Sequence, residues 1–327
     1  MAILVTGAGG LVGRAAVAAL LGQGVEHVRA VVRDPAQVGD LRRLGAKVAV
    51  LDATDPDGLR AAMEGVFTAC SLTGGLWTRP GEDPYAAVAD PARVFLAAAR
   101  AAGVRRVIVC SPAALGSPAA AEANQHLAAK AEVERMVAGS GLEHAILRCS
   151  HVLGPGGRLV ALLGGGPGGG PPARPGTGGA VPVPVPGDGR QRVAPVWVED
   201  VAAAIAAADD AVELAATWAL AGPDKVTFDA LVDAVHGGPV AKVHVDGDGG
   251  VPPGAALADG RPTEAEGGAT RTSSAGLTPA QLGVLAADSL PDPWLPAPPG
   301  PAPMPLAEAV ARSAGPVRPG LPVRLDG

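Results

Sequence analysis

Short apolar runs alternate with longer, Ala-rich segments along the first half of the chain. The apolar runs predict β-strands at Ala2–Thr6, His27–Arg33, Lys47–Leu51, Val66–Leu72, Val104–Cys110 and His144–Cys149. The segments between them predict helices at Leu11–Leu21, from Asp34 onward, and at Asp57–Glu64, Pro84–Ala102 and Ala128–Ala138. Alternation at this spacing is typical of βαβ units and a parallel sheet. Runs without polar positions indicate strands that helices cover on both faces.

The pattern is weaker beyond residue 153. Residues 154–189 contain 22 glycines and prolines among 36 positions, which predicts a long irregular loop. Within it, Val181–Pro186 predicts an extended segment because proline donates no backbone hydrogen bond. Further on, strands are predicted at Val193–Val198 and Trp218–Leu220, and helices at Val201–Asp209, Phe228–Val235, Pro279–Ala287 and Leu306–Ala311. We therefore expect a doubly wound α/β domain over 1–153 and a smaller Gly/Pro-rich substrate-binding region over 154–327, with about 190–210 returning to the core of the first.

Composition excludes several classes of protein. The chain carries 26 Lys and Arg against 32 Asp and Glu, a net charge of −6, so a basic surface for nucleic acid or an anionic membrane is not expected. Hydrophobic residues make up 48% but aromatic residues only 2%, which predicts a core of Ala, Val and Leu. We expect neither a signal peptide nor a membrane-spanning segment, because the sequence has no charged segment followed by a long apolar one near residue 1 and no apolar run of membrane-spanning length. We expect a soluble, cytoplasmic, acidic protein.

A glycine-rich turn follows the first predicted strand. Gly7, Gly10 and Gly13 are spaced G-x-x-G-x-x-G between a strand and a helix, in a turn that also contains Thr6, Gly9, Leu11 and Val12. The first glycine permits the tight turn, the second permits close approach of a pyrophosphate, and the third permits close packing of helix on strand. The helix N-terminus then directs its amide groups at the phosphates. The turn predicts a dinucleotide site in a Rossmann-type fold.

The end of the second predicted strand bears on which dinucleotide binds. It runs Val31-Val32-Arg33-Asp34, whereas sites that prefer NAD usually end this strand with an acid that binds the ribose hydroxyls. A guanidinium at Arg33 can pair with a 2′-phosphate, so NADP(H) is the favoured cofactor. Asp34 can still reach a ribose hydroxyl, and NAD(H) remains the alternative. Arg14 either assists or is a solvated charge on the helix.

Two further positions follow predicted strands on the same sheet edge. Asp52 comes after the third strand, where it can bind the adenine amino group or instead cap the next helix. Thr73 lies in the loop after the fourth strand, which is expected to face the ribose or nicotinamide. Both are candidate cofactor contacts because the carboxyl edge of such a sheet holds the ligand.

Six segments resemble the atypical, extended group of short-chain dehydrogenases/reductases, and more narrowly its NmrA-like, NAD(P)H-binding branch. They are TGAGGLVG (6–13), VVRDP (31–35), LDATD (51–55), AARAAGVRRVIVCSPAAL (98–115), KAEVERMVAGSGLEHAILR (130–148) and PVWVEDVAAAI (195–205). The resemblance covers residues 1–153 and about 190–235. It implies a Rossmann domain with a smaller C-terminal substrate region and makes NADP(H) the expected cofactor. A homodimer is one option that it leaves open.

The catalytic positions depart from the pattern of this group. Most members use a Ser after the fifth strand and a Tyr-x-x-x-Lys helix; Ser111 and Lys130 match the serine and the lysine, but His126 stands at the tyrosine. The i, i+4 spacing places His126 and Lys130 on one helix face. An imidazole can exchange protons near neutral pH, although a neighbouring ammonium keeps it mostly neutral. His126 is thus a candidate acid/base group, and Lys130 also a candidate ribose contact.

The end of the sixth predicted strand departs as well. Many members carry Leu-Arg-Pro there, and this chain has Leu147-Arg148-Cys149, so Cys149 is expected near the nicotinamide and Ser150 and His151 in the substrate pocket. A nucleophilic pair of Cys149 and His151 is a weaker alternative, because no third group orients it. The three cysteines have neither paired nor metal-ligand spacing and are expected to be buried and inert. A metal site is not expected.

The leading functional hypothesis is an NADP(H)-dependent oxidoreductase that acts on a small or medium carbonyl, quinone or enone. The Ala-, Gly-, Pro- and Arg-rich composition favours a bacterial source. Two alternatives stay open: a non-catalytic NADP-binding sensor, which loss of the tyrosine favours, and a redox-neutral isomerase, cyclase or dehydratase. The position of His126 relative to Ser111 is the feature that discriminates between them.

Overall fold

Apolar runs of four to seven residues form the strands of the central sheet, as their β-branched content favours. The computed structural model describes residues 1–76, 82–164, 182–212, 214–245 and 278–313. Within these ranges the strands are β1 (Ala2–Thr6), β2 (His27–Val32), β3 (Lys47–Val50), β4 (Val66–Ser71), β5 (Arg106–Pro112), β6 (Glu143–Cys149), β7 (Val152–Leu153), β8 (Val183–Pro186), β9 (Arg192–Val193), β10 (Val196–Trp197), β11 (Ala215–Leu220), β12 (Val226–Thr227) and β13 (Lys242–Val245).

Ala-rich segments between the strands form most of the helices. They are α1 (Leu11–Gly22), α2 (Val38–Leu44), α3 (Pro56–Ala62), α4 (Ala86–Ala101), α5 (Pro118–Ala123), α6 (Gln125–Ala138), α7 (Arg158–Leu162), α8 (Val198–Asp210), α9 (Phe228–Val235), α10 (Pro279–Leu285) and α11 (Leu306–Ser313), with 3₁₀ turns at Pro35–Gln37 and Ala113–Gly116. In the described ranges none of these helices has both the length and the apolar character needed to cross a bilayer.

The central sheet has the strand order β3-β2-β1-β4-β5-β6-β11, and every neighbouring pair is parallel. One apolar core lies between the sheet and α1, α2 and α8, and a second lies between the opposite face and α3, α4 and α6. The chain reverses its direction of winding between β1 and β4. Ligands of such sheets bind at the carboxyl edge beside this reversal. The predicted Rossmann-type α/β fold is confirmed.

A third, smaller core is built from the C-terminal elements. Strands β7 and β10, β9 and β12, and β8 and β13 pair two by two, and α7, α9, α10 and α11 contribute apolar side chains. Leu11 and Val12 of α1 pack against this core. The segment 190–210 runs back to the sheet, where α8 packs on α1 and β11 extends the sheet as its last strand.

Several element predictions need correction. Helix α6 begins at Gln125 and not at Ala128, because the Asn124 side chain accepts hydrogen bonds from the amides of residues 126 and 127 and caps it. Strand β5 extends beyond Cys110 to Pro112. The strand predicted at 193–198 is divided into β9 and β10 around Pro195, which has no amide proton to donate.

The irregular loop predicted over 154–189 is wrong at α7, whereas β8 falls within the extended segment predicted at Val181–Pro186. Residues 165–181 of that prediction lie outside the described ranges. Strand β8 forms in spite of its prolines because they alternate with valines. The amides of Val183 and Gly187 donate hydrogen bonds towards β13. The nitrogens of Pro184 and Pro186, which carry no hydrogen, are directed away from β13, so no hydrogen bond of the pair is lost. Strand β13 was not predicted.

Residues 278–296, which we call the strap, cover the carboxyl edge of the sheet. Helix α10 packs on the start of α6, where Val284 contacts the cluster around Leu127. The Gln281 side chain donates to the Leu76 carbonyl in the loop after β4 (3.2 Å). Further on, the Pro296 carbonyl accepts a hydrogen bond from the Ala219 amide on edge strand β11. The strap thus spans from the β4 loop to the far edge of the sheet.

Candidate cofactor and active site

The turn after β1 requires glycine at two positions. Gly7 has φ of +68°, and a Cβ there would lie 2.7 Å from the Leu72 carbonyl oxygen. A Cβ on Gly13 would lie 2.2 Å from the Gly7 carbonyl oxygen. Both distances are shorter than any real carbon contact, so β1, the β4 loop and α1 approach this closely only because side chains are absent.

Gly10 differs, because its missing side chain leaves space. A Cβ there would meet only the Gly7 carbonyl, at 3.4 Å. Gly10 is also the N-cap of α1, and no side chain caps that helix end. Uncapped amides and the positive end of the helix dipole favour an anion at this position. These residues therefore fit the diphosphate of a dinucleotide.

The side chains of Leu11 and Val12 point elsewhere. They pack against the C-terminal core, so backbone amides are what they offer to a phosphate. The position of Gly9 is covered by Gln37, whose Oε1 lies 1.8 Å from where a Cβ would be. Sequence reasoning missed Gln37, which lies in the 3₁₀ turn after β2, because an isolated glutamine carries no spacing signal. It lies directly beside the phosphate turn.

At the end of β2, Arg33 is exposed and Asp34 is engaged. The Asp34 carboxylate accepts a hydrogen bond from the Ala36 amide (2.9 Å) and caps the 3₁₀ turn. Arg33 forms no salt bridge with any residue in the described ranges. The guanidinium is thus the freer of the two charges for a ligand beside the carboxyl end of β2.

Three other predicted contacts have structural partners. The Thr6 hydroxyl is buried and donates to the Cys70 carbonyl, joining β1 to β4 (3.4 Å). The Asp52 carboxylate accepts from the amide and hydroxyl of Thr54 (2.9 and 2.7 Å) in the turn before α3, and Asp55 is the residue that caps α3. Thr73 lies 3.2 Å from the Ser71 hydroxyl oxygen. Their side chains fix the loops around the crevice.

Ser111 and Lys130 lie together at the carboxyl end of β5. The Lys130 Nζ atom donates to the carbonyl of Cys110 (3.3 Å), the residue before Ser111. The Ser111 hydroxyl is buried and has no hydrogen-bond partner in the described residues. Burial lowers the pKa of Lys130, against the opposing effect of nearby Cys110, Cys149 and Glu134. The Ser111 hydroxyl, without a partner in the described residues, and the Lys130 amino group therefore lie at the same edge of the sheet.

His126 lies one helical turn before Lys130 and does not face solvent. Its side chain is only 2% exposed, and its Nδ1 has no hydrogen-bond partner among the described residues. Burial, together with the Lys130 charge, lowers the pKa of His126 to about 3. The imidazole is therefore neutral at neutral pH, and it is not a proton donor there.

Cys149 and Cys110 lie side by side at the ends of β6 and β5. Cys149 is buried, and its thiol donates weakly to the Leu147 carbonyl. Cys110 is partly exposed, so the expectation that all three cysteines are buried is wrong for this one. Sequence reasoning missed the partial exposure of Cys110, because an apolar run does not show at which residue the covered part of the sheet ends.

Ser150 and His151 follow β6 and have different surroundings. The Ser150 hydroxyl donates to the Ser289 carbonyl of the strap (2.6 Å) and accepts from the Ala194 amide (3.3 Å). His151 stacks edge-on against Phe228 at 5.7 Å, and burial lowers its pKa to about 4. Ser150 thus anchors the strap, whereas His151 keeps an Nδ1 without a partner in the described residues.

The open phosphate cradle beside the winding reversal defines a dinucleotide-binding protein, and comparison with known proteins agrees. Residues 7–170 match the NAD(P)H-binding family, and the chain belongs to that family. The resemblance found in the sequence is confirmed. In the described residues, no group of three or more His, Cys, Asp or Glu is placed to hold a metal ion.

One relative of known activity is the 3-diazoavenalumate denitrifying reductase of a Streptomyces species. It is 32% identical over 182 residues, which cover 48% of this chain and 58% of the relative. The chain therefore matches little more than half the length of that reductase.

Solved structures share the fold. The NADPH-dependent quinone oxidoreductase QOR2 of Escherichia coli, in complex with NADPH, superposes with a TM-score of 0.63 at 21% identity, over 94% of this chain and 98% of QOR2. MoeE5, in complex with UDP-glucose and NAD, gives 0.62 at 18% identity over 96% and 97%. At these identities the likeness supports the fold alone.

Proposed function

We propose that the chain is an NADPH-dependent reductase of a small or medium quinone, enone or other activated carbonyl. The observation that carries the proposal is the open, uncapped cradle at Gly10, with Ser111 and Lys130 on the same edge of the sheet. Family membership and the reductase among its relatives favour the same activity.

The cofactor preference rests on Arg33. The Asp34 carboxylate is occupied by capping, which weakens its competition for ribose hydroxyls, and the exposed guanidinium suits a 2′-phosphate. NADPH is therefore favoured over NADH. Bound in this crevice, a reduced nicotinamide supplies a hydride.

The chain's own residues would hold the substrate and supply the proton. The Ser111 hydroxyl, which has no partner in the described residues, is placed to donate to a substrate oxygen. Lys130 holds a proton beside it, and the lowered pKa makes that proton easier to release. His126, being neutral, would serve as a hydrogen-bonding group.

The absence of the tyrosine bears on the substrate class. A ketone that is reduced to an alkoxide needs a strong proton donor close by, whereas a quinone or enone delocalises the negative charge that it gains. A site with a neutral imidazole and one ammonium at the expected acid positions suits the second kind of acceptor better. Quinones and enones are accordingly the first substrates to test.

Cofactor titration is the first experiment. NADPH and NADH are titrated into the native chain, Gly10→Ala, Gly22→Ala and Arg33→Ala, and binding is followed by fluorescence. Gly10→Ala is expected to weaken both cofactors, because its methyl group enters the phosphate cradle. Gly22 lies in the same helix with nothing within 4 Å of its Cβ position, so Gly22→Ala is the matched control.

Arg33→Ala is expected to weaken NADPH about tenfold or more and NADH much less, because it removes a charge-assisted contact to the 2′-phosphate alone. Equal loss for both cofactors would contradict the assignment of Arg33. No binding of either cofactor to the native chain would contradict the proposed function itself.

Turnover is then followed by loss of NADPH absorbance with quinones, enones and unactivated aldehydes. Quinones and enones are expected to react, and Lys130→Met is expected to lower kcat. Tight NADPH binding with no turnover on the panel would instead favour the non-catalytic sensor, which the neutral, buried His126 also suits.

A further inference from the structure

Asn124 lies where the chain enters α6, and its side-chain amide has partners on two elements. Its Oδ1 atom accepts hydrogen bonds from the amides of His126 (3.0 Å) and Leu127 (3.1 Å), which caps α6. Its Nδ2 atom donates to the Ala280 carbonyl of the strap (2.9 Å), a bond that we call the tie. One side chain thus joins the start of α6 to a segment 156 residues further along the chain.

Gly283 of α10 leaves the space that the tie requires. It follows Ala280 by about one helical turn, and a Cβ on it would lie 2.6 Å from the Asn124 Nδ2 atom. Glycine in the interior of a helix is unfavourable relative to alanine. Contact with the Asn124 amide therefore accounts for a glycine at this position, and α10 approaches α6 this closely only because the side chain is absent.

The tie lies beside the buried groups of the candidate site. His126, in the first turn of α6, and Ser111, at the end of β5, are both buried, and each has a polar atom without a hydrogen-bond partner in the described residues. Leu127, next to His126, packs with Val284 of the strap and with Leu115 of the 3₁₀ turn after β5. The strap therefore covers the part of the sheet edge at which these two polar groups lie.

Helix α10 also reaches the loop after β4. The Gln281 side chain donates to the Leu76 carbonyl in that loop (3.2 Å). Its Oε1 atom accepts a hydrogen bond from the Thr278 amide in a capping box, so both ends of this side-chain amide are bonded. Helix α10 thus spans from the loop after β4 to the start of α6, and the tie fixes it on the α6 side.

We propose that Asn124 is a positioning residue of the candidate site, and that through the tie it holds the strap as the outer wall of the substrate crevice over Ser111 and His126. It acts through the strap and the start of α6, whereas the phosphate cradle is formed by β1 and α1 and is independent of the tie. The role of this wall in substrate binding rests on the proposed function, but the tie itself is tested without turnover.

Asn124→Ser separates the cap from the tie. Serine caps a helix as well as asparagine does, but its hydroxyl is too short to reach the Ala280 carbonyl, and it adds no charge beside His126. Amide hydrogen exchange in α10 is expected to accelerate about fivefold or more, the effect of one lost hydrogen bond, while exchange in α6 stays at the native rate.

Labelling with diethyl pyrocarbonate, which acylates neutral imidazoles, reports the cover over His126. In Asn124→Ser the labelling rate of His126, followed by mass spectrometry of its peptide, is expected to rise about fivefold or more, because the strap opens more often. His27 is exposed at the start of β2 and is the internal control, with a labelling rate that stays native.

Gly283→Ala breaks the tie from the strap side and leaves Asn124 in place. Alanine stabilises a helix relative to glycine, so propensity alone would slow exchange in α10. The steric contact with the Asn124 Nδ2 atom predicts the opposite, faster exchange in α10 and faster labelling of His126. Gly22→Ala in α1, with nothing within 4 Å of its Cβ position, is the matched control and is expected to leave both rates native.

Native rates of α10 exchange and of His126 labelling in both Asn124→Ser and Gly283→Ala would overturn the proposal. Faster exchange in α6 with native exchange in α10 would also overturn it, because Asn124 would then serve only as a helix cap.

NADPH titration of the same variants distinguishes the role of Asn124 from the proposed function. Both variants are expected to bind NADPH as the native chain does, because the cradle is intact. With a quinone that the native chain reduces, Asn124→Ser is expected to raise KM more than it lowers kcat, since the wall holds the substrate. A fall in kcat at native KM would overturn the role of the wall. No NADPH binding by the native chain would contradict the proposed function alone, and the exchange and labelling rates would still decide whether the tie holds the strap.

Discussion

Burial at the carboxyl edge of the sheet changes the pKa of individual side chains in this molecule. The carboxyl edge brings a histidine and a lysine within one helical turn and then buries both. Water is excluded, so each charge is disfavoured and the pKa of each is lowered. For His126 the pKa falls far enough that the ring is neutral at neutral pH.

The neutral His126 predicts acid sensitivity. Its folded pKa of about 3 lies below the ordinary 6.5, so the unfolded chain binds the proton more readily. The stability that neutrality provides is present above pH 6.5 and is lost as the pH falls from 6.5 towards 3. His151, with a pKa of about 4, acts in the same direction. The free energy of unfolding should fall by about 1.4 kcal/mol per pH unit for each such proton.

Urea unfolding at pH 7, 6, 5 and 4 measures this slope. His126→Asn is expected to lessen it by about one proton between pH 6 and 4. His27→Asn removes an exposed imidazole at the start of β2 and controls for the loss of any histidine. An unchanged slope in His126→Asn would show that His126 takes no part.

At the scale of elements, Arg106 fixes the end of α8 to the sheet. It is 1% exposed, and its guanidinium donates to the carbonyls of Ala208, Asp209 and Ala211 and to the Glu143 carboxylate. These carbonyls close the C-terminal end of α8, which otherwise leaves them without partners. One side chain of β5 thereby satisfies two carbonyls in the last turn of α8 and that of Ala211, which follows the helix.

Arg106→Met is expected to lower the free energy of unfolding by about 3 to 5 kcal/mol, because it leaves three carbonyls near the end of α8 and one oxygen of the Glu143 carboxylate without their donor. Arg105 bonds the other oxygen of the same carboxylate from a largely exposed position. Arg105→Met is the matched control and should change stability little. Chemical denaturation of both variants measures the two changes in the free energy of unfolding. A similar loss of stability in both would contradict the role assigned to Arg106.

The local pattern of apolar and polar residues predicted the strands of the central sheet. It could not predict the short C-terminal elements that pair with distant parts of the chain. Val66–Ser71 is a largely apolar run and Val107–Cys110 is a continuous one, so their strands follow from sequence. The phosphate turn could also be predicted from the sequence, because its glycines are required by short backbone distances within one βα unit. Strand β13 and helix α7 are short, and their stability comes from partners far along the chain, which no local periodicity reports.

For the candidate site, the sequence likewise predicted the positions of residues but not their long-range surroundings. The positions of Ser111, His126 and Lys130 were predicted, but burial of His126 was not, because α10 covers the start of α6 from more than 150 residues away. Ser150 was predicted for the substrate pocket, and its hydroxyl is bonded to the strap. Cys110 and Gln37 were missed, because each gains its surroundings only in three dimensions.

Across the whole molecule, the strap joins the sheet to the C-terminal core. Asn124 donates to the Ala280 carbonyl, Ser150 to that of Ser289, and Arg148 lies 3.5 Å from the Asp292 carboxylate. These contacts hold one segment across the ends of β5 and β6. The closure of the candidate site therefore depends on residues at the opposite end of the sequence.

Ser150→Ala is expected to loosen the strap, at a cost of about 1 to 3 kcal/mol, because the Ser289 carbonyl and the Ala194 amide lose their partner. Hydrogen exchange should accelerate across 278–296 more than in β1 or β5. Ser117→Ala removes an exposed hydroxyl that makes no capping bond and serves as control. Unchanged exchange in the strap would show that Ser150 does not anchor it.

The strap also sets the order of events on the ribosome. Ser289 is made 139 residues after Ser150, which at usual rates of translation is roughly 7 to 28 seconds later. During that interval the phosphate turn, β4 and β5 have all been synthesised, while the segment that covers the start of α6 has not. The strap can therefore close over the carboxyl edge of the sheet only after the phosphate turn, β4 and β5 have been synthesised.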